Sequence, residues 1–470
     1  MKRLAALAAV GWFAGCATHD AWKPPTSRDT ADVPAVVRPG KGNDELHVWS
    51  PLAEPEVAAL RGLDSARQGD AHALLALAIL ASGDHHDAAS YDRYRRRIDQ
   101  FLSEVKPTID AAPDAWHRGY ELHRAMHRAF FAGGGTELGG YDFYQPRITG
   151  IFEGGHYNCL SSALLFAVLA RGFGLPVRAA LVPTHVFIEM GEPGGKVFEI
   201  ETTSSTGFDW IHDERFYREG AATWSGQRGL RPVTLDEYRH RVMLEPHQLV
   251  AEAMINSYQG DDDAVRLWRH ELAGVIDPDR PELRKGRVQV YDNEAHDLFE
   301  LKAWRTIAKM FDTVRPAVDD IGAKSTDGET LQLVSWANWY HANALMVVGR
   351  QDEAIAIMAA GLQKLDNAWP DAPKLKDNYV GVLVNRLGEL IVRKDYPTAV
   401  TTLGKYGDVC RSSNACADNA SIMFANWSID HQNNGDWQSA RQVLQDCVSQ
   451  LPNDSRCRDA LTDLESRHRF

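Results

Sequence analysis

Three residue types that can together perform nucleophilic catalysis occur in order within one short stretch: Cys159, His185 and Glu201. A thiolate attacks, an imidazole moves the protons, and a carboxylate holds the imidazole in one tautomer and orientation. Each residue stands at the edge of an expected element. Cys159 opens an apolar helix that runs to Arg171 and is stopped by Gly172, Gly174 and Pro176. A helix N-terminus presents unpaired N–H groups and a partial positive charge, both of which favour thiolate over thiol. His185 follows Pro183-Thr184 and leads into the strand candidate Val186-Phe187-Ile188. Gly191 to Gly195 turns that strand into a return strand, Val197–Glu201. One hairpin then spans His185 to Glu201 and brings both onto neighbouring strands. Glu199 competes for the place of Glu201, because alternation puts the two on the same strand face. An oxyanion would need a backbone N–H, here that of Cys159, and a second donor. Gln145, His156, Tyr157 and Asn158 are all candidates for that donor, and the sequence does not choose among them.

The elements that position these residues divide the chain. Residues 51–145 read as helical, with Ala71–Ala81 and Ala88–Val105 as two helices. Trp116, Tyr120, His123, His127 and Phe130 recur at helical spacing on one face of a third. His123 and His127 are four apart, which would suit a metal pair, but no third ligand of metal spacing accompanies them. They are expected to be packing histidines, and no metal or cofactor is expected. The Asp84-His85-His86-Asp87 turn is expected to be a solvated helix connection. Residues 146–240 hold the apolar helix and the clear β segment, in which Val177–Val182 is a further strand. Residues 241–470 are helical again, with three similar turns: Gly349 to Ala354, Lys394 to Ala399 and Gly435 to Ala440. Gly83 to Ala88 repeats the same spacing. In each turn a small Ala opens the second helix where it must pack closely on the first. The expected fold class is α+β and predominantly helical: a small core with an antiparallel sheet, flanked by helical hairpins.

At 470 residues the chain is long enough for two or three domains. Its formal net charge is −13. Nucleic-acid binding is therefore not expected, since that affinity rests on Lys and Arg facing phosphates. There is no Gly-x-Ser-x-Gly elbow, no phosphate-binding Gly-x-x-x-x-Gly-Lys-Ser/Thr loop and no His-Glu-x-x-His pattern.

The first residues read as a targeting segment. Met1-Lys2-Arg3 is positive, and Leu4–Phe13 is apolar but too short to span a bilayer. Phe13-Ala14-Gly15-Cys16 resembles the lipobox of bacterial lipoproteins, with Phe13 where Leu is usual. That resemblance implies a signal peptide over residues 1–15 and a lipid on Cys16; the stretch 16–50 that follows, rich in Pro, Thr, Asp and Gly, is expected to be a flexible tether. Ala17, where Asp would retain a lipoprotein in the inner membrane, implies the outer membrane, facing the periplasm. Export implies an oxidising compartment, where disulfides persist. Cys410, Cys416, Cys447 and Cys457 lie close in sequence, and the pairs Cys410–Cys416 and Cys447–Cys457 are expected, with other connectivities left open. Cys159 is then the one thiol without a disulfide or lipid.

The order Asn158-Cys159, His185-Val-Phe-Ile-Glu189 and Phe198-Glu-Ile-Glu201-Thr-Thr resembles the transglutaminase-like family of papain-fold proteins. Gly172-Phe-Gly174-Leu175-Pro176-Val-Arg178 resembles the segment that follows the cysteine helix of that family. Leu230-Arg-Pro232-Val-Thr-Leu-Asp-Glu-Tyr resembles the linker in its branch with a tetratricopeptide-like tail. The three turns of the 241–470 segment resemble tetratricopeptide repeats, although the alanines are 45 and 41 residues apart and the usual period is about 34. The resemblance implies a catalytic core over 146–240 with a Cys159-His185-Glu201 triad acting on a protein or peptide, and a repeat region over 241–470 that recruits it. The usual third member is Asp, and Glu201 departs from that. A non-catalytic scaffold lipoprotein on the same fold is the alternative expectation.

Overall fold

A computed structural model describes residues 37–40 and 48–468, apart from 84–86, 135, 137, 192–194, 211, 258–262, 365–371 and 409–412. The signal peptide, Cys16, the Asp84-His85-His86 part of the polar turn, the middle of the Gly191–Gly195 turn and Cys410 lie outside the described residues. The described residues form two compact units, one ending at Val290 and one beginning at Tyr291.

The first unit starts with strands β1 (Val37–Gly40) and β2 (Val48–Pro51), paired antiparallel. This corrects the expectation of a tether over the whole of 16–50: Val37, Val48 and Trp49 are strand formers. Helices α1 (Glu54–Arg61), α2 (Leu63–Arg67), α3 (Ala71–Ala81), α4 (Ala88–Ala111) and α5 (Ala115–Phe130) follow, then α6 (Ile148–Gly154) and α7 (Cys159–Gly172). Every residue of α7 from Cys159 to Ala170 is buried. A helix apolar on all sides must be covered on all sides. Helices α3, α5 and α6, the sheet and α10 (Pro246–Asn256) supply that cover. One hydrophobic core therefore runs from Ala59 to Leu283 and ignores the boundaries expected at 145/146 and 240/241.

The sheet comprises β3 (Val177–Val182), β4 (His185–Met190), β5 (Phe198–Ile200) and β6 (Val242–Leu244), in the antiparallel order β5-β4-β3-β6. Val182 pairs with His185 across a two-residue turn, and Ile188 pairs with Ile200. Val186, Ile188 and Met190 face α7, whereas Phe187 joins a second apolar cluster with Ala180, Val182 and Val233. That second face is covered by a π-helical turn (Phe216–Gly220) and α9 (Leu235–Arg239), and α8 (Ala221–Gln227) places Trp224 on His185 at its edge. Strand β6, beyond residue 240, went unread because three residues carry too little alternation to see. Helix α11 (Asp263–Ile276) and the start of α12 (Pro281–Glu300) complete this unit.

The second unit is helical: α13 (Trp304–Lys324), α14 (Gly328–Val347), α15 (Gln351–Lys364), α16 (Ala372–Val392), α17 (Tyr396–Tyr406), α18 (Asn414–Asn433), α19 (Trp437–Gln450) and α20 (Ser455–Arg467). The three similar turns join α14 to α15, α16 to α17 and α18 to α19. Gly349, Lys394 and Gly435 all take positive φ, the left-handed helix stop. Ala354, Ala399 and Ala440 are fully buried, as close helix packing requires. Cys447 and Cys457 are bonded, with Cα atoms 5.7 Å apart, and tie α19 to α20. Cys416 is disulfide-bonded as well. Among the described residues no helix is long and apolar enough to cross a membrane.

Candidate active site

The local sequence before Cys159 builds a firm helix start. Asn158 is the N-cap, and its Oδ1 accepts from the N–H groups of Leu160 at 2.9 Å and Ser161 at 3.2 Å. Ser161 Oγ accepts from Asn158 N and donates to Gln145 O at 2.7 Å. Asn158 Nδ2 donates to Phe143 O, which pins the preceding loop to the helix. Cys159 is thereby fixed as the first residue of α7, where the macrodipole favours negative charge. Replacing Asn158 by Ala is expected to cost about 1 kcal/mol, read as a lower melting temperature, with the 141–147 loop becoming more sensitive to proteolysis.

On the strand side, Pro183 followed by Thr184 at φ 66° forms the turn before His185. Proline followed by positive φ is the type II pattern, which normally places glycine second. A β-branched residue there is strained, and the strain sits beside a candidate site residue.

The expected triad converges. His185 Nε2 lies 2.6 Å from Glu201 Oε2. His185 Nδ1 is buried with no nitrogen or oxygen partner, and the Cys159 side chain interacts with the ring. Glu201 Oε1 accepts from Thr203 N at 3.0 Å and from Thr203 Oγ1 at 2.5 Å. Burial disfavours the charged ring of His185, but the Glu201 carboxylate and then the Cys159 side chain outweigh it and hold its pKa well above 6.5. Burial likewise opposes the Glu201 carboxylate. His185, Thr203 and Arg228 outweigh it and hold the pKa below 4.5.

All three residues are enclosed: Cys159 is 6%, His185 3% and Glu201 1% exposed. The Trp224 indole of α8 covers the His185 ring edge-on at 4.8 Å between centroids. Arg228 stacks on Trp224 and donates from Nε to Thr203 Oγ1 at 3.1 Å. Sequence reasoning missed Thr203, Trp224 and Arg228. The two threonines after Glu201 were a visible signal, but nothing local marks Trp224 or Arg228.

The structure separates Glu199 from Glu201. Glu199 hydrogen-bonds His212 and Tyr238 on the covered face of the sheet, so its carboxylate is already engaged. The four oxyanion candidates also separate. Tyr157 donates its hydroxyl to Thr203 O at 3.3 Å, and the Asn158 side chain is consumed by capping. Gln145 Oε1 accepts from Arg147, and His156 is exposed. His123 and His127 pack ring to ring at 4.7 Å in α5, and His127 Nε2 donates to Thr202 O. Burial, then its neighbour His127, pushes the His123 pKa down to about 3, so the ring is neutral. Among the described residues no cluster of three or more His, Cys, Asp or Glu is placed to hold a metal ion.

No protein-family model matches this chain, and no curated protein matches it.

Proposed function

We propose that the chain is a cysteine acyl-transfer enzyme of transglutaminase-like type, anchored by lipid on Cys16 in the bacterial cell envelope. The outer membrane, facing the periplasm, is the favoured site. The observation that carries the enzymatic reading is the 2.6 Å His185–Glu201 pair beside a thiol at a helix N-terminus. In the proposed reaction Cys159 Sγ attacks an amide carbonyl carbon and a C–S bond forms. The C–N bond breaks as imidazolium Nδ1–H gives its proton to the leaving amine. Water then attacks the thioester, His185 takes its proton, and C–S cleavage returns the thiolate with release of a carboxylic acid. Hydrolysis requires only water, so peptidase or amidase chemistry is favoured over cross-linking to an amine. The helical unit from Tyr291 onward would recruit the protein or peptide substrate, as stacked helix pairs commonly do.

The burial of all three residues supports a second reading, a non-catalytic scaffold that keeps the fold for protein assembly. The placement of the Cys159 side chain at a helix N-terminus, against the ring of the His185–Glu201 pair, weighs against it.

The pH dependence of Cys159 alkylation distinguishes the two. An activated thiolate labels well below the free-thiol pKa of about 8.5, and His185→Ala abolishes the acid-side labelling. A profile that follows an ordinary thiol and ignores His185→Ala would favour the scaffold.

A further inference from the structure

We propose that Arg228 is a positioning residue that fixes Glu201 for His185 through the Thr203 hydroxyl. This rests on the acyl-transfer reading of the site. The Arg228 side chain is 2% exposed, although guanidinium is among the least tolerated groups in a protein interior. Its contacts hold it in place: Nε donates to Thr203 Oγ1 at 3.1 Å, and Cζ lies 4.5 Å from the Trp224 ring centroid. Nη1 also reaches Trp224 O at 3.3 Å.

The polarity of this chain of hydrogen bonds is decided by chemistry. Arginine can only donate, so Thr203 Oγ1 must accept from it. A hydroxyl has a single hydrogen, and that of Thr203 must then point to Glu201 Oε1, 2.5 Å away. Thr203 N donates to the same oxygen at 3.0 Å. With Oε1 holding two donors, Oε2 is left for His185 at 2.6 Å. Without Arg228 the Thr203 hydroxyl could turn, and Oε1 would lose its stronger donor. Glu201 has one more rotatable bond than Asp, and this second anchor is what removes that freedom.

Other groups on the site do not substitute for Arg228. His123 and His127, from α5, lie behind the Glu201–Thr202 segment, and His123 is neutral. Tyr157, preceding α7, donates to the Thr203 backbone and not to its side chain. Cys159 and His185 are the reacting groups. Arg228 is thus the cation that faces the Thr203 hydroxyl, and it caps the C-terminus of α8, the element that covers His185 with Trp224.

The test uses the full chain, with alkylation of Cys159 by iodoacetamide followed across pH by peptide mass mapping. In Arg228→Met the midpoint should move up by about one pH unit, a roughly tenfold loss of rate on the acid side. Arg228→Lys, which can still donate, should recover most of it. Thr203→Val keeps the arginine charge and cuts the link, and it should shift the midpoint in the same direction. It also carries the test if Arg228→Met does not fold. An unshifted Thr203→Val profile would overturn the proposal, even with Arg228→Met shifted, because the effect would then be one of charge alone. If the unmodified chain itself titrates as an ordinary thiol, the acyl-transfer reading fails first.

Discussion

Replacing Glu201 by Gln is expected to cost about 3–5 kcal/mol of folding stability near neutral pH and to return Cys159 to ordinary thiol titration. The carboxylate is nearly fully buried, and its partner is an equally buried ring that it keeps charged. Removing one member of such a pair leaves the other desolvated and uncompensated. The pH dependence gives the effect a signature. His185 has its pKa raised, so its share of the stability is complete below 6.5 and is lost as pH rises through the folded value. Glu201 has its pKa lowered, so its share is complete above 4.5 and is lost as pH falls through the folded value. The stability gap between wild type and Glu201→Gln should therefore be widest between 4.5 and 6.5 and narrow on both sides. Urea unfolding of both proteins at several pH values measures it. A gap that stays constant from acid to alkaline pH would mean that the two side chains do not share charge. Loss of acid-side alkylation in the same variant ties the stability signature to the reactive thiol.

The triad was legible because each member follows a local rule. Asn158-Cys159 reads as a helix start, Pro183-Thr184 as a turn before His185, and Gly191 to Gly195 as the turn that returns the chain to Glu201. What separates Glu201 from Glu199 is not local. Both leave the same strand face, and Glu199 is engaged because His212, Tyr238 and Arg241 arrive from outside the strand. Arg228 and Trp224 were invisible for the same reason: a buried cation on a short polar helix looks in sequence like a solvated one. The helices of the second unit were legible through their turns, where a left-handed residue and a buried alanine recur. Lys394 takes the glycine position in the middle turn, so the pattern had to be read from spacing and not from residue type. The boundaries of the core were misread because composition changes at 145 and 240, whereas packing does not.

That misreading has a measurable consequence, and it is the second large effect expected. A fragment ending at His240 should fail to form a cooperative fold, whereas one ending at Val290 should fold. The shorter fragment lacks β6, which pairs along Ala179, Ala180 and Leu181 of β3. It also lacks α10, whose Leu249, Val250, Ala251, Ala253 and Met254 are all fully buried in the main core. With Val242 and Leu244, these side chains supply on the order of 10 kcal/mol of burial, comparable to the about 5–15 kcal/mol that holds a whole domain together. The longer fragment keeps a further constraint. Arg280 Nη1 lies 2.9 Å from Glu252 Oε2 of α10, and its Nε lies 3.3 Å from Asp277 Oδ2, with all three residues buried. Gln248 of α10 donates to Asp277 Oδ2 at 3.2 Å. A cut between α10 and Arg280 would leave Glu252 buried without its cation, so the folded core must extend past residue 280 before its charges close. Near-UV circular dichroism and the sharpness of urea unfolding separate the two fragments. A cooperative transition in the fragment ending at His240 would show that the sheet and α7 suffice, and that residues 241–290 are an appendage to the core.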